Sequence, residues 1–140
     1  MADPGAAAAL HDAEAAMDEL FAAGVSPNSP RDAVEWITNL EHLGRRVDAA
    51  KSALVGEIQR RALHRPDGHG SAKIMVRHVA RLSEAEANAR AKTATAAARL
   101  PKVAAAWKAG EVSTCAVRVL GRIHANERRR CDGSPSGRVH

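Results

Sequence analysis

Apolar residues recur at three- and four-residue steps through most of this chain, the spacing of helices that each bury one face. Leu10, Ala13, Met17, Leu20 and Phe21 form such a stripe and predict a first helix from about Ala6 to Ala23. Gly24 stops it, and Ser26-Pro27-Asn28-Ser29-Pro30 is a break rich in turn formers. Ser29 then caps a second helix whose first position is Pro30, where a missing N–H costs nothing. Along that helix Ala33, Ile37, Leu40, Leu43, Val47, Ala50, Leu54, Ile58 and Ala62 make a near-heptad seam, with an end near Leu63. A rod of roughly 35 residues spans ~50 Å. Its seam therefore needs a partner, either within the chain as a helical hairpin and bundle or from a second copy.

The second half predicts shorter elements. His64-Arg65-Pro66-Asp67-Gly68-His69-Gly70 is a turn. Ser71 caps a third helix from Ala72 to about Arg81, with Val76 and Ala80 inward. Ser83-Glu84-Ala85-Glu86 reads as a capping box that opens a fourth helix to about Arg99. Leu82, Ala85, Ala89, Ala96 and Leu100 are the expected apolar stripe of that helix. Pro101 starts a fifth helix ending at Gly110, and Ser113 caps a sixth with Val117, Leu120 and Ile123 inward. From Arg128 periodicity is lost, and Gly133-Ser134-Pro135-Ser136-Gly137 predicts a disordered tail. The expected organisation is an N-terminal helix and linker (1–29), a helical domain (30–130) and a tail (131–140). The fold class is all-α: a long helical hairpin followed by a cluster of short helices with a helix-turn-helix-like segment.

Composition narrows the function classes. Alanine alone supplies 31 residues, and only Phe21, Trp36 and Trp107 are aromatic, which argues against a sandwich or barrel. No apolar run reaches the ~18 residues of a membrane span. The first residues lack the basic segment of a signal peptide. Cys115 and Cys131 are too few for a disulfide scaffold. A cytoplasmic protein is expected.

Charge is divided along the chain. Residues 1–59 carry four Lys/Arg against ten Asp/Glu, whereas residues 60–140 carry 17 against six. A second half this basic is expected to face a polyanion, with DNA the candidate partner. The alternative is that the basic residues only solvate the helices and meet the acidic first half.

The stretch from Ser71 to Arg99 has the outline of a helix-turn-helix, whose second helix would lie in the major groove. Asn88, Lys92, Thr95 and Arg99 fall on one face of the fourth helix, and their residue types suit base edges and phosphates. Asn88 and Lys92 are expected nearest the bases, and Arg77, Arg81, Arg90 and Arg99 on phosphates. The corner carries Arg81 where such motifs usually place a small residue. A polar face of this kind also occurs on ordinary amphipathic helices.

Nothing in the sequence reads as an active site. Ser71, Ser83 and Ser113 are explained by capping, and there is no Walker loop, Gly-x-Gly-x-x-Gly or Gly-x-Ser-x-Gly. His64, His69 and His78 lack metal-ligand spacing, and His124-Ala125-Asn126 has no second histidine where a His-Asn-His nuclease needs one. No catalytic residue, metal, cofactor or small-molecule substrate is expected.

One block is more specific. Gly68-His69-Gly70-Ser71-Ala72-Lys73-Ile74-Met75-Val76-Arg77-His78-Val79, followed by Leu82-Ser83 and Glu86-Ala87, resembles the actinobacterial domain of unknown function 222. More closely it resembles the mycobacterial thirteen-E-twelve repeat proteins. The similarity continues through Leu100-Pro101, Ala104-Ala105-Ala106, Ala109-Gly110 and Arg122 to Asn126, over roughly residues 30–130. Many relatives place Trp where this chain has Met75. The resemblance implies a helical region that, in the family, typically precedes an HNH endonuclease module, and hence DNA as the partner of the whole protein. Cys131 to His140 does not resemble the family continuation, so a truncated copy without the nuclease module is expected. Three roles follow: a non-catalytic DNA-associating domain, a helical module that self-associates or binds a protein through the second helix, or a gene remnant without independent activity.

Overall fold

In the computed structural model the described residues, 4–66 and 68–132, form six α-helices and no strand. These are α1 (Pro4–Ala23), α2 (Pro30–Arg61), α3 (Ala72–Val79), α4 (Glu84–Arg99), α5 (Pro101–Lys108) and α6 (Thr114–Asp132). The all-α expectation is met. Helix α6 continues through Cys131 and Asp132, past the predicted loss of periodicity; the rest of the expected tail, 133–140, lies outside the described residues. No described helix is long and apolar enough to cross a membrane.

Local chemistry explains the helix starts. Ser29, Ser71, Ser83 and Ser113 each accept a hydrogen bond on Oγ from the backbone N–H three residues on, all at 3.1 Å. Each bond satisfies one of the donors that a helix N-terminus leaves open. Three helices end in a Schellman pair, in which two N–H groups beyond the helix reach back to its last carbonyls. At α5 these are Gly110 N to Trp107 O and Glu111 N to Ala106 O, both 2.9 Å. Gly110 has φ +79°, and a Cβ there would lie 2.6 Å from Nδ1 of His42, so only glycine fits. The equivalent positions after α2 and α3 are Ala62 (φ 52°) and Arg81 (φ 54°), which adopt the left-handed conformation without that freedom.

The chain divides into two compact units, Met1–Thr38 and Asn39–His140, with the division inside α2. In the first unit, the stripe predicted on α1 is uncovered: Leu10, Met17 and Phe21 are exposed.

In the second unit α4 is the central helix, touching α3, α5 and, most extensively, α6. Its buried positions are Ala87, Thr93, Ala94 and Ala96. Gly121 of α6 packs where a methyl group would meet the Thr93 Cα at 3.5 Å. Small residues on both helices thus allow a close approach. Trp107 and Val117 join Ala49 of α2 in the core, with Val103, Val112 and Ala97 packed around them.

Several expected inward faces are turned outward. On α2 Ile58 of the predicted seam is buried as expected, but its buried companions Ala49, Ser52 and Val55 lie outside that seam, and Leu43, Val47 and Leu54 within it are exposed. The cause is polar chemistry on the covered face. Arg45 Nη1 donates to Gly110 O (3.3 Å) and Arg46 Nε to Lys108 O (3.2 Å), so cations satisfy the open carbonyls at the end of α5. Asp48 accepts from the Thr114 hydroxyl at 2.6 Å. On α4 the buried face is rotated roughly a quarter turn from the predicted stripe at 3.6 residues per turn. Ala85 is exposed, Ala89 half-buried, and Ala96 alone of that stripe is buried. Ala80, Leu120 and Ile123 are also exposed rather than inward, while Val117 is buried as expected.

Candidate nucleic-acid interface

Two sides of α4 carry charge, and they differ. On the inner side Ser83 makes one half of the expected capping box, accepting from Glu86 N. The other half is not made, because the Glu86 carboxylate turns to two arginines. It accepts from Arg90 Nε at 3.1 Å, from Arg118 Nη1 of α6 at 3.1 Å and from Arg118 Nη2. The hydrogen bonds from Arg118, aided by Arg90 and opposed by partial burial, hold the Glu86 carboxyl below the usual carboxylate range. In return Glu86 keeps Arg118 more firmly protonated.

Arg90, expected on DNA phosphates, is half-buried, commits its Nε to Glu86 and lines an inner cleft with Arg118. Glu86 precedes it by one helical turn and explains this placement.

On the outer side Lys92, Thr95 and Arg99 are exposed, and Asn88 beside them is half-buried. Lys92 and Thr95 border an open groove of about 290 Å³, whose other residues are Ala91 of α4 and His124, Ala125 and Arg128 of α6. Alanine on both helices leaves the space. The Thr95 hydroxyl donates to Ala91 O at 3.0 Å. Among the described residues no carboxylate pairs with Lys92, Arg99 or Arg128. Such a groove offers fixed cationic donors in a concave, solvent-open setting, where the field of several like charges attracts an anionic backbone.

Arg77 and Arg81 are exposed at the end of α3 and at the corner before α4. The corner is tight: Arg81 N bonds to His78 O (3.3 Å) and Leu82 N to Arg77 O (2.9 Å). The structure thus brings Lys92 and Thr95 together at one groove, leaves Arg77, Arg81 and Arg99 exposed elsewhere on the second unit, and places Arg90 at the inner cleft.

Sequence reasoning missed His124 and Arg128. Their spacing of one helical turn on α6, with Gly121 and Ala125 marking the packed side, is the signal that could have found them. The remaining histidines and cysteines form no such site. The rings of His69 and His78 lie 5.6 Å apart between centroids and are tilted by 49°, and no cluster of three metal-ligating groups occurs among the described residues. Cys115 and Cys131 are free and exposed.

Residues 35–127 match the sequence profile of a family described as Domain of unknown function (DUF222), which spans α2 from near its start to most of α6. No curated protein and no solved structure matches the chain.

Proposed function

The chain belongs to the DUF222 family, and from the cations that line the α4–α6 groove we propose that its helical domain associates with DNA without catalysing a reaction on it. The observation that carries this reading is the convergence of Lys92, Thr95, His124 and Arg128 on one open groove, where among the described residues no carboxylate pairs with Lys92 or Arg128. Phosphate contacts need only correctly spaced donors and positive potential, and this surface supplies both. Arg99 extends the charge along α4. Arg77 and Arg81 flank α4 on the α3 side, as a helix-turn-helix-like arrangement requires. In this reading the domain supplies binding alone, as the helical region of a thirteen-E-twelve-type protein would beside an HNH module, and it acts in the cytoplasm.

The test is fluorescence anisotropy of labelled duplex DNA across a salt series. Each lost phosphate contact lowers the slope of log affinity against log salt by about 0.9. The double variant Lys92→Gln, Arg128→Gln is expected to lose nearly two units of slope and to bind roughly 10-fold or more weakly at low salt. An affinity and slope equal to the parent's would remove the groove from the interface.

A separate observation favours self-association as a second reading. Leu43, Val47 and Leu54 lie on the uncovered face of α2 at coiled-coil spacing. Sedimentation of the parent beside Leu43→Lys and Leu54→Lys should show a concentration-dependent dimer that the variants abolish. A parent that stays monomeric at high concentration ends this reading.

A further inference from the structure

The cleft on the inner side of α4 is distinct from the outer groove and has an unusual complement of groups. Asp48, Lys51 and Ser52 of α2, Arg90 of α4, and Thr114 and Arg118 of α6 line it. Its volume is about 40 Å³, where a single water needs only about 10–15 Å³. One tetrahedral oxyanion fits such a space; an aromatic ring system does not.

Two features of the lining are unexplained by the fold. Ser52 is 9% exposed, and its Oγ is buried without a hydrogen-bond partner. A buried hydroxyl left unpaired is costly, so it points to something that pairs with it. Arg90 commits only its Nε to Glu86, which leaves its two Nη groups without an acceptor among the described residues. The charges around the cleft are three cations, Lys51, Arg90 and Arg118, against the carboxylates of Asp48 and Glu86.

Asp48 sets the choice among anions. Its Oδ2 accepts from Thr114, which in turn accepts from the Trp107 indole N–H at 3.2 Å. Its Oδ1 lies 3.8 Å from Lys51 Nζ, too far for a hydrogen bond, and so keeps accepting capacity. A carboxylate beside bound sulfate would only repel it. Beside hydrogen phosphate the same oxygen accepts the anion's own O–H, while Ser52, Arg90 and Lys51 donate to its other oxygens.

We propose that this cleft, between α2, α4, α5 and α6, binds inorganic phosphate in its protonated form. Binding here joins four helices of the second unit and stabilises the folded state by mass action. It is independent of the DNA-facing groove, since the two share no residue.

Calorimetric titration of the full chain with inorganic phosphate near pH 7, beside sodium sulfate and sodium chloride at matched ionic strength, tests the proposal. Saturable one-site binding of phosphate, with sulfate at least 10-fold weaker, is expected. Ser52→Ala, a helix-favouring change that buries no new polar group, should weaken phosphate roughly 10-fold, as loss of a hydrogen bond to a charged ligand does. Lys51→Gln on the exposed rim should act in the same direction. The Lys92→Gln, Arg128→Gln variant should bind phosphate as the parent does, which separates this site from the groove. No saturable phosphate binding, equal response to sulfate, or an unchanged Ser52→Ala affinity would each overturn it.

Discussion

Arg90 and Lys92 stand two positions apart on α4, and their surroundings make them different groups. Arg90 faces inward, shares a carboxylate with Arg118 and is half-buried. Lys92 faces the outer groove with no counter-ion among the described residues. Residues two apart on a helix never share a face, so one turn of chain holds both a structural cation and a free one. The lesson is that positive charge counted along a sequence overstates the charge available to a partner. Arg60 on Glu57 makes the same point in solvent.

This contrast can be broken most strongly at Glu86. Glu86→Gln leaves two half-buried guanidinium groups facing each other without their carboxylate, and a loss of about 2 kcal/mol in urea unfolding is expected. DNA affinity of that variant should change little. Because the Glu86 carboxyl is held below its usual range, its contribution to stability is full above that range. It is lost as pH falls through the depressed folded value, when the carboxyl becomes protonated. The parent should therefore lose stability in acid more steeply than Glu86→Gln does; parallel acid profiles would remove the triad from the account.

A smaller effect is expected at the corner before α4. Arg81→Gly relieves a left-handed backbone and should stabilise the fold by about 1 kcal/mol while weakening DNA binding. If Arg81 is a spectator, the gain in stability appears without any change in salt slope. Smallest of all is Lys92→Ala, which should leave the unfolding free energy within about 0.5 kcal/mol of the parent. A large loss there would mean that Lys92, too, is a structural cation.

The features legible in advance are those that depend on near neighbours. Ser29, Ser71, Ser83 and Ser113 were readable as caps because the bond each makes spans only three residues. Helix order and approximate ends followed from the same short-range rules. The candidate site was half legible: Lys92, Thr95 and Arg99 share a face by helical spacing alone. Arg128 and His124 were not, because a groove between α4 and α6 depends on how the two helices pack. Leu43, Val47 and Leu54 misled for a related reason. Periodicity finds a stripe, but α2 carries a second one through Ala49, Ser52 and Val55 that meets the first at Ile58, and the polar bonds of Arg45, Arg46 and Asp48 with α5 and α6 selected it.

Sequence alone thus determined six helices, their capped starts and a basic second half, since propensity, capping and charge are properties of residues and their immediate neighbours. Only the tertiary structure decided which side of each helix is covered, which arginines are spent on Glu86 and which cations remain for a partner. Those outcomes depend on pairings between residues far apart in the chain, such as Arg118 with Glu86 and Thr114 with Asp48, and no local pattern encodes them.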